Sequence, residues 1–363
     1  MPPVIASGTA FAIHAFELGH SIDLDRCERI VAESARQTIR PSRRLPEHFA
    51  YRPAPLRLVQ EGGGLAVGRL RCAAVHVVLY DFGAASVAYE LPLAGCPLEE
   101  LADLSDRLCG GAGLVADARG RLEALLAVIG PAVTRPRLAE PVEDYLVFEV
   151  ARFDPPVEPA RLLSDAGPTL ARLLRGETGS LAPEEVEDAL GARLRVGPGD
   201  LAVVDWNAAF VCHPAADEAR VVLDFANVQL LELRWLDAEL DAALEQAYDA
   251  LARVARGGLA ELAFPAADLR HVGELQADAA VLFERVTNAL KLVGDQYLSR
   301  LYRLVSGRLH LADWDAGIFR KLQTLDGIYQ KLADRSAARR LEAIEWIVVL
   351  LIAFEIVLTL VGR

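Results

Sequence analysis

Lysine is nearly missing from this chain. Lys291, Lys321 and Lys331 are its only lysines, so almost all of the 38 basic residues are arginines. Positive charge is also short overall: 51 acidic residues set the formal net charge at −13, with a pI near 5.1. A surface that tracks a nucleic acid needs a basic face, so nucleic acid is not expected as a partner. Cysteine is sparse. Cys27, Cys72, Cys96, Cys109 and Cys212 are odd in number and irregular in spacing, with no Cys-x-x-Cys. That excludes a disulfide framework or zinc ribbon and fits a reducing compartment. No basic stretch precedes an apolar run in the first twenty residues, so a cleaved secretory signal is not expected. The arginine, alanine and leucine bias reads as GC-rich bacterial coding.

Catalytic motifs are missing too. "GAGLVA" (111–116) has the G-x-G-x-x-A spacing, but a helical pattern precedes it where a dinucleotide site needs a strand. "EGGGLAVGRL" (61–70) runs into a strand and has no Gly-Lys-Ser/Thr to grip phosphate. "DFG" (81–83) stands without other kinase elements. His14, His20, His48, His76, His213, His271 and His310 are scattered. Cys212 and His213 are neighbours, and neighbours on a strand point to opposite faces. No catalytic residue, cofactor or metal site is therefore expected.

Apolar residues are abundant, at 53 %. "EWIVVLLIAFEIVL" (345–358) is the most apolar stretch, interrupted by Glu355. Sixteen residues from Trp346 to Val361 make about 24 Å of helix, and adding Ile344 and Glu345 reaches the lower limit of about 17 residues for a span. Glu345 and Trp346 mark the entry, and Arg335, Arg339 and Arg340 form a basic collar before it. The expectation is a tail anchor with the bulk of the chain in the cytoplasm. A buried core helix is the alternative. An ionised Glu355 in hydrocarbon would cost on the order of 3 kcal/mol, unless protonated, paired with another helix or snorkelled.

Upstream, Leu275–Val293, Tyr297–Leu311 and Ile318–Leu332 carry apolar residues at heptad-like 3–4 spacing. They predict long helices folded back on one another, with candidate breaks near Gly294, 310–315 and 333–340, and a final helix, capped by Asp313, that continues through the basic collar into the terminal run. The first 225 residues differ. Period-2 stretches at Thr9–Leu18, Leu56–Gln60, Leu65–Tyr80, Ala84–Leu93, Asp144–Phe153, Leu201–Cys212 and Ala219–Asp224 read as strands. Helical patterns fall at Asp23–Ala35, Leu98–Leu108, Gly120–Ile129, Glu158–Leu174 and Pro183–Leu190, and "DFG" suits a turn between strands. "FELGHSIDLDRCERI" (16–30) and "FEVARFDPPVEPARLL" (148–163) share a pattern at an offset of 132, suggesting two βαββ repeats.

The predicted fold is α+β: an N-terminal α+β part (1–135), a second (136–225), a helical bundle (226–340) and a transmembrane tail anchor (342–362). A helix starting near Asn227 and stopping at Gly257-Gly258 opens the bundle.

Two polar groups stand out on the helices. Asn227, Gln229, Glu232 and Arg234 interrupt an apolar helix start; once buried they must be hydrogen-bonded. A structural network is the simpler reading, and a lined site the sharper one. Asn288, Lys291 and Asp295 share a helical face, where Lys291 and Asp295 can pair. A third group is the basic segment 36–52, read as a solvated loop or a contact for anionic lipid.

"FANVQLLELRWLD" (225–237), "HVGEL" (271–275), "GDQYLSRLY" (294–302) and "LEAIEWIVVLLIAFEIVL" (341–358) resemble the family of proteins required for meiotic nuclear division, also called the domain of unknown function 155 family. The resemblance covers about residues 200–360. It implies a membrane-anchored α+β protein without established enzymatic activity, and marks Asn227, Gln229, Glu232, Glu342, Glu345 and Glu355 as family-like positions of unassigned role.

The functional expectation is a non-enzymatic, membrane-anchored scaffold or tether. It would associate with itself through its C-terminal helices and hold a protein partner at a bilayer. The place is the bacterial inner membrane, or an organellar membrane in a eukaryote. The alternative is a membrane-associated enzyme or a nucleotide- or small-ligand-binding protein with its site around Asn227–Arg234.

Overall fold

The computed structural model describes residues 3–34, 40–42, 53–109, 111–197, 199–213, 216–256 and 296–361. The chain divides into two units: Met1–Leu233 with Leu282–Ala312, and Arg234–Val281 with Asp313–Arg363.

The first unit opens with β1 (Val4–Glu17), β2 (Ser21–Ile22), α1 (Leu24–Ser34), β3 (Arg40–Ser42) and β4 (Leu56–Glu61). A small ribbon of β5 (Ala66–Val67) and β6 (Leu70–Arg71) precedes β7 (Ala74–Leu79), β8 (Ala84–Pro92) and β9 (Cys96–Pro97). Helices α2 (Glu100–Leu108) and α3 (Ala112–Ile129) lead to β10 (Val133–Thr134) and β11 (Val142–Asp154). After α4 (Pro159–Asp165), α5 (Gly167–Arg175) and α6 (Pro183–Ala189) come β12 (Arg193–Leu194), β13 (Leu201–Val204) and β14 (Ala208–Cys212). The helices that follow are α7 (Ala216–Arg256), α8 (Gln296–Arg308) and α9 (Leu311–Val361).

Ten of these strands form one sheet in the order β12-β13-β14-β11-β1-β8-β7-β4-β3, with β9 joined to β1. β1 is central. It runs antiparallel to β11 on one side (Ala10↔Phe148) and to β8 on the other (Ala10↔Leu91). Both faces are covered, so Ala10 to Glu17 is buried without alternation, as expected of a strand enclosed on two sides. β11 and β14 pair in parallel. The edge strands β3 and β12 are short, which limits edge-to-edge pairing. The two segments with the 132-residue offset begin in β1 and β11, antiparallel neighbours of this single sheet, which crosses the 135/136 boundary.

One sheet face is apolar: Ala12, Phe16, Val87, Tyr89, Leu146 and Phe148 join a core with residues of α1, α2, α3 and α5. The "DFG" turn lies between β7 and β8 as expected. Gly83 has φ +108, and a Cβ there would lie 1.7 Å from the Gly19 carbonyl oxygen, so only glycine fits. "GAGLVA" opens α3 directly after α2, a context without the strand a dinucleotide site needs.

Several helix boundaries differ from expectation. The helix placed near Asn227 begins earlier, at Ala216. Asp313 lies inside the first turn of α9 rather than before it. The last helix continues through the basic collar as expected: "ADRSAARR" is rich in good helix formers, and α9 runs through it. α9 has 51 residues, about 77 Å at 1.5 Å per residue.

In the second unit, Leu236, Leu240, Ala243 and Ala247 of α7 are buried, as are Ile318, Leu325, Tyr329 and Leu332 of α9. This is the heptad-like stripe expected for 318–332. Lys321 Nζ meets carboxylate oxygens of Asp237 and Asp241 at 2.6 Å each.

The expected C-terminal transmembrane helix is corrected. Among the described residues, no helix is long and apolar enough to cross a membrane. The apolar surface described on α9, with Glu345 inside it, runs from Ile344 through Trp346 to Ile352. The tail anchor at 342–362 is not retained. The side chains of Glu355, Glu342 and the collar Arg335, Arg339 and Arg340 lie outside the described residues, as do Asn288, Lys291, Asp295, the 275–293 repeat and most of the basic segment 36–52.

Candidate functional site

The opposite face of the sheet is built differently. Side chains alternate across a strand, so Phe11 and Ile13 of β1, His76 of β7, Ser86 and Glu90 of β8, and Glu149 of β11 point away from the apolar core. Arg57 of β4 belongs to the same face. The first turns of α7 cover it with Asp217, Arg220, Asp224 and Asn227, which recur at three- and four-residue steps on one side of the helix.

Arg220 ties the layer together. Its Nε lies 2.9 Å from Glu149 Oε1, its Nη2 lies 3.2 Å from Asp217 Oδ1, and its guanidinium sits 4.1 Å from the centre of the Phe11 ring. Such a cation over an aromatic face is attracted by the ring quadrupole. His76 Nε2 and Glu90 Oε2 are 2.8 Å apart. Ser86 donates to Asp224 Oδ1 at 2.6 Å. Asp224, Glu149 and Arg220 are buried, Glu90 and His76 are half-buried, and Asp217 reaches solvent.

Burial shapes the acidities. It pushes the Glu149 carboxyl up to about 7, against the opposing pull of Arg220. It also raises Asp224, while the Ser86 hydrogen bond and the Arg57 and Arg220 charges act the other way. Glu90 is held low chiefly by its hydrogen bond to His76. A carboxyl near 7 beside a paired guanidinium can bind or release a proton at neutral pH, which ordinary carboxylates cannot.

The residues singled out from sequence lie elsewhere. Asn227 Nδ2 donates to the Glu143 carbonyl at 3.1 Å, and Gln229 Oε1 accepts from the Tyr302 hydroxyl at 2.6 Å. Glu232 is buried beside them in sequence. Arg234 is exposed and belongs to the second unit. Glu345 and Trp346 are exposed on α9. The sequence signal for the charged layer was present but unread: polar residues at single positions of Val-rich strands, and Arg220 four residues before Asp224.

A second ionic cluster joins α5, α6 and α8 in the first unit. Arg175 Nε and Arg308 Nη2 each lie 2.6 Å from the fully buried Asp205, and both guanidiniums also reach Asp188. A cavity of about 520 Å³ is bounded by Ser21, Asp23, Arg26, Asp81 and Thr134, where Ser21 bonds Thr134 and Asp23 caps the Arg26 amide.

The family model described as the N-terminal domain of the uncharacterised protein MJ0711 matches residues 7–218. The chain belongs to that family. The matched span runs from β1 into the first turn of α7. It therefore includes Arg57, His76, Glu90, Glu149 and Asp217, and stops short of Arg220 and Asp224. The uncharacterised protein MJ0711 of Methanocaldococcus jannaschii is 22 % identical over 222 residues, 60 % of this chain. The match spans 66 % of that relative's own length. No solved structure matches.

Proposed function

We propose that the chain is a non-enzymatic scaffold that associates with copies of itself through the C-terminal part of α9. One observation carries this reading: Trp346, Leu350 and Leu351 are 63 %, 64 % and 61 % exposed, amid Ile344, Ile347, Val348, Val349 and Ile352. Consecutive apolar residues cover every side of the helix there, and a helix apolar all round is normally buried. Burying a large aliphatic side chain stabilises by about 1.5–3 kcal/mol when it starts fully exposed. These side chains are about half exposed, and together they supply area of the order of the ~800 Å² per partner that a stable interface buries. The same apolar helix from a second copy is the matching surface. The likeness of 200–360 to the domain of unknown function 155 family belongs to this proposal, and rests on the quoted segments.

Light scattering on the full chain tests it. The native chain should run as an oligomer, and Val348→Arg with Leu351→Arg should give a folded monomer. A monomeric native chain, or an unchanged mass in the double variant, overturns the proposal.

A second reading is favoured by the charged layer: a small-ligand site under the start of α7. Its support is Glu149, a carboxyl poised near neutrality by burial beside Arg220.

A further inference from the structure

Every charged group of the layer except Arg57 has a partner. Glu90 holds His76, Asp224 accepts from Ser86, and Glu149 and Asp217 share Arg220. Among the described residues, half-buried Arg57 makes no ion pair or side-chain hydrogen bond. A guanidinium carries five donors, and one that is partly desolvated without bonded acceptors is costly; the Asp224 and Asp217 charges favour it through space without bonding it. The Arg220 charge adds to that cost, since it and burial both work against the protonated Arg57. Arg220 is itself incompletely used. It spends Nε on Glu149 and Nη2 on Asp217, which leaves Nη1 uncommitted among the described residues. Two cations, Arg57 on the sheet face and Arg220 on the helix above it, have donors to spare and lack a shared acceptor.

We propose that the open side of this layer binds a compact oxyanion, a carboxylate or a phosphate-like group, taken by Arg57 and the free donors of Arg220, with uptake of one proton by Glu149. This rests on the ligand-site reading above. Planar guanidiniums bind such oxygens with paired, charge-assisted hydrogen bonds. Proton uptake follows from the surroundings. An arriving anion meets Glu90 from β8, Asp217 and Asp224 from α7 and Glu149 from β11, with His76 on β7 and Tyr80 near Arg57 as the other titratable groups. Glu90 is stabilised as the anion by His76. Asp217 is largely in water, and Asp224 is bonded to Ser86. Glu149 is the carboxylate closest to accepting a proton at neutral pH, and its proton removes one opposing charge beside Arg220. The balance is simple: one oxyanion and one proton enter, no bond of the ligand breaks, and Arg220 turns from Glu149 toward the ligand.

The experiment is calorimetric titration of the full chain with sulfate and with succinate at constant ionic strength, near pH 6 and near pH 8, with putrescine as a cationic arm. Sulfate and succinate separate a phosphate-like from a carboxylate preference, and sulfate does not itself titrate in this range. Saturable binding of at least one anion is expected, about tenfold tighter near pH 6 than near pH 8. Arg57→Gln should weaken it about tenfold or more, with circular dichroism confirming the fold. Glu149→Gln should keep the binding and lose its pH dependence. Saturable anion binding that Arg57→Gln leaves unchanged, or that is equal at both pH values, overturns the inference. Putrescine binding that is lost in Glu149→Gln, with no anion bound, keeps the ligand site and overturns the oxyanion. Failure of all three probes removes both.

Discussion

Arg220 bridges Glu149 on β11 and Asp217 on its own helix while lying flat over Phe11 of β1. One side chain thereby fastens the start of α7 to two central strands. Gly8, at a bulge of β1, lets β1 and β11 come close beside Glu149: a Cβ there would lie 2.7 Å from the Glu149 carbonyl oxygen. The consequences of the charged layer and of three other buried polar contacts can be measured.

The Glu149 carboxyl is raised in the fold from an ordinary 4.5 to about 7. The folded state therefore holds its proton more tightly than the unfolded chain does. This contribution to stability is present below pH 4.5 and is lost as pH rises through 7. Glu149→Gln removes the loss. Urea unfolding should show the variant gaining on the native chain by about 2 kcal/mol between pH 5 and pH 8; parallel curves would refute it.

His14 behaves in the opposite sense. It is fully buried in β1, neither ring nitrogen has a hydrogen-bond partner among the described residues, and its ring stands edge-on to Tyr89 with centroids 6.0 Å apart. Burial lowers its pKa from 6.5 to about 4, with the Asp144 charge pulling the other way. Its contribution is present above pH 6.5 and is lost as pH falls toward 4. His14→Phe keeps an aromatic ring and removes the two unmet nitrogens. The variant should exceed the native chain by about 2 kcal/mol near pH 5, and melting temperatures across that range provide the check.

Asp205 is neutralised twice, by Arg175 and by Arg308. Either arginine alone still serves the buried carboxylate. Arg175→Gln and Arg308→Gln should each be mild, while the pair strands Asp205 and costs about 3–5 kcal/mol. A double-mutant cycle should therefore show coupling of about 1 kcal/mol or more. Additive losses would mean that the two arginines act separately.

The Tyr302 hydroxyl and Gln229 form a buried pair between α8 and α7 within the first unit. Tyr302→Phe leaves the Gln229 oxygen unmet and should cost about 1–3 kcal/mol. Adding Gln229→Leu should recover most of that loss. Chemical unfolding of the single and double variants distinguishes this from lost packing, which the second substitution would not restore.

Much of the sheet was legible because its half-buried strands alternate. Leu56–Glu61 and Ala74–Leu79 show the pattern in their burial, and the glycine of "DFG" turns between two strands. The helix starts were less legible. Ala219–Asp224 reads as a strand from its apolar spacing, yet it lies in the first turns of α7, because short apolar runs fit either period. The charged layer escaped notice for a related reason. His76, Glu90 and Glu149 sit far apart in sequence, and only strand pairing brings them onto one face. The terminal apolar run was visible from the start. Its exposure among the described residues was not, since sequence alone does not tell which surfaces find neighbours.

The central place of β1 has a cost during synthesis. Its two neighbours, β8 and β11, follow some 70 and 130 residues later in the chain. At roughly 5–20 residues per second, the emerging β1 waits several seconds with both hydrogen-bonding edges open. Nascent chains crowded on one message would then offer each other the unpaired central strand of the sheet. A holding chaperone at the ribosome exit should matter more to the yield of this protein than to one whose first strand lies at an edge.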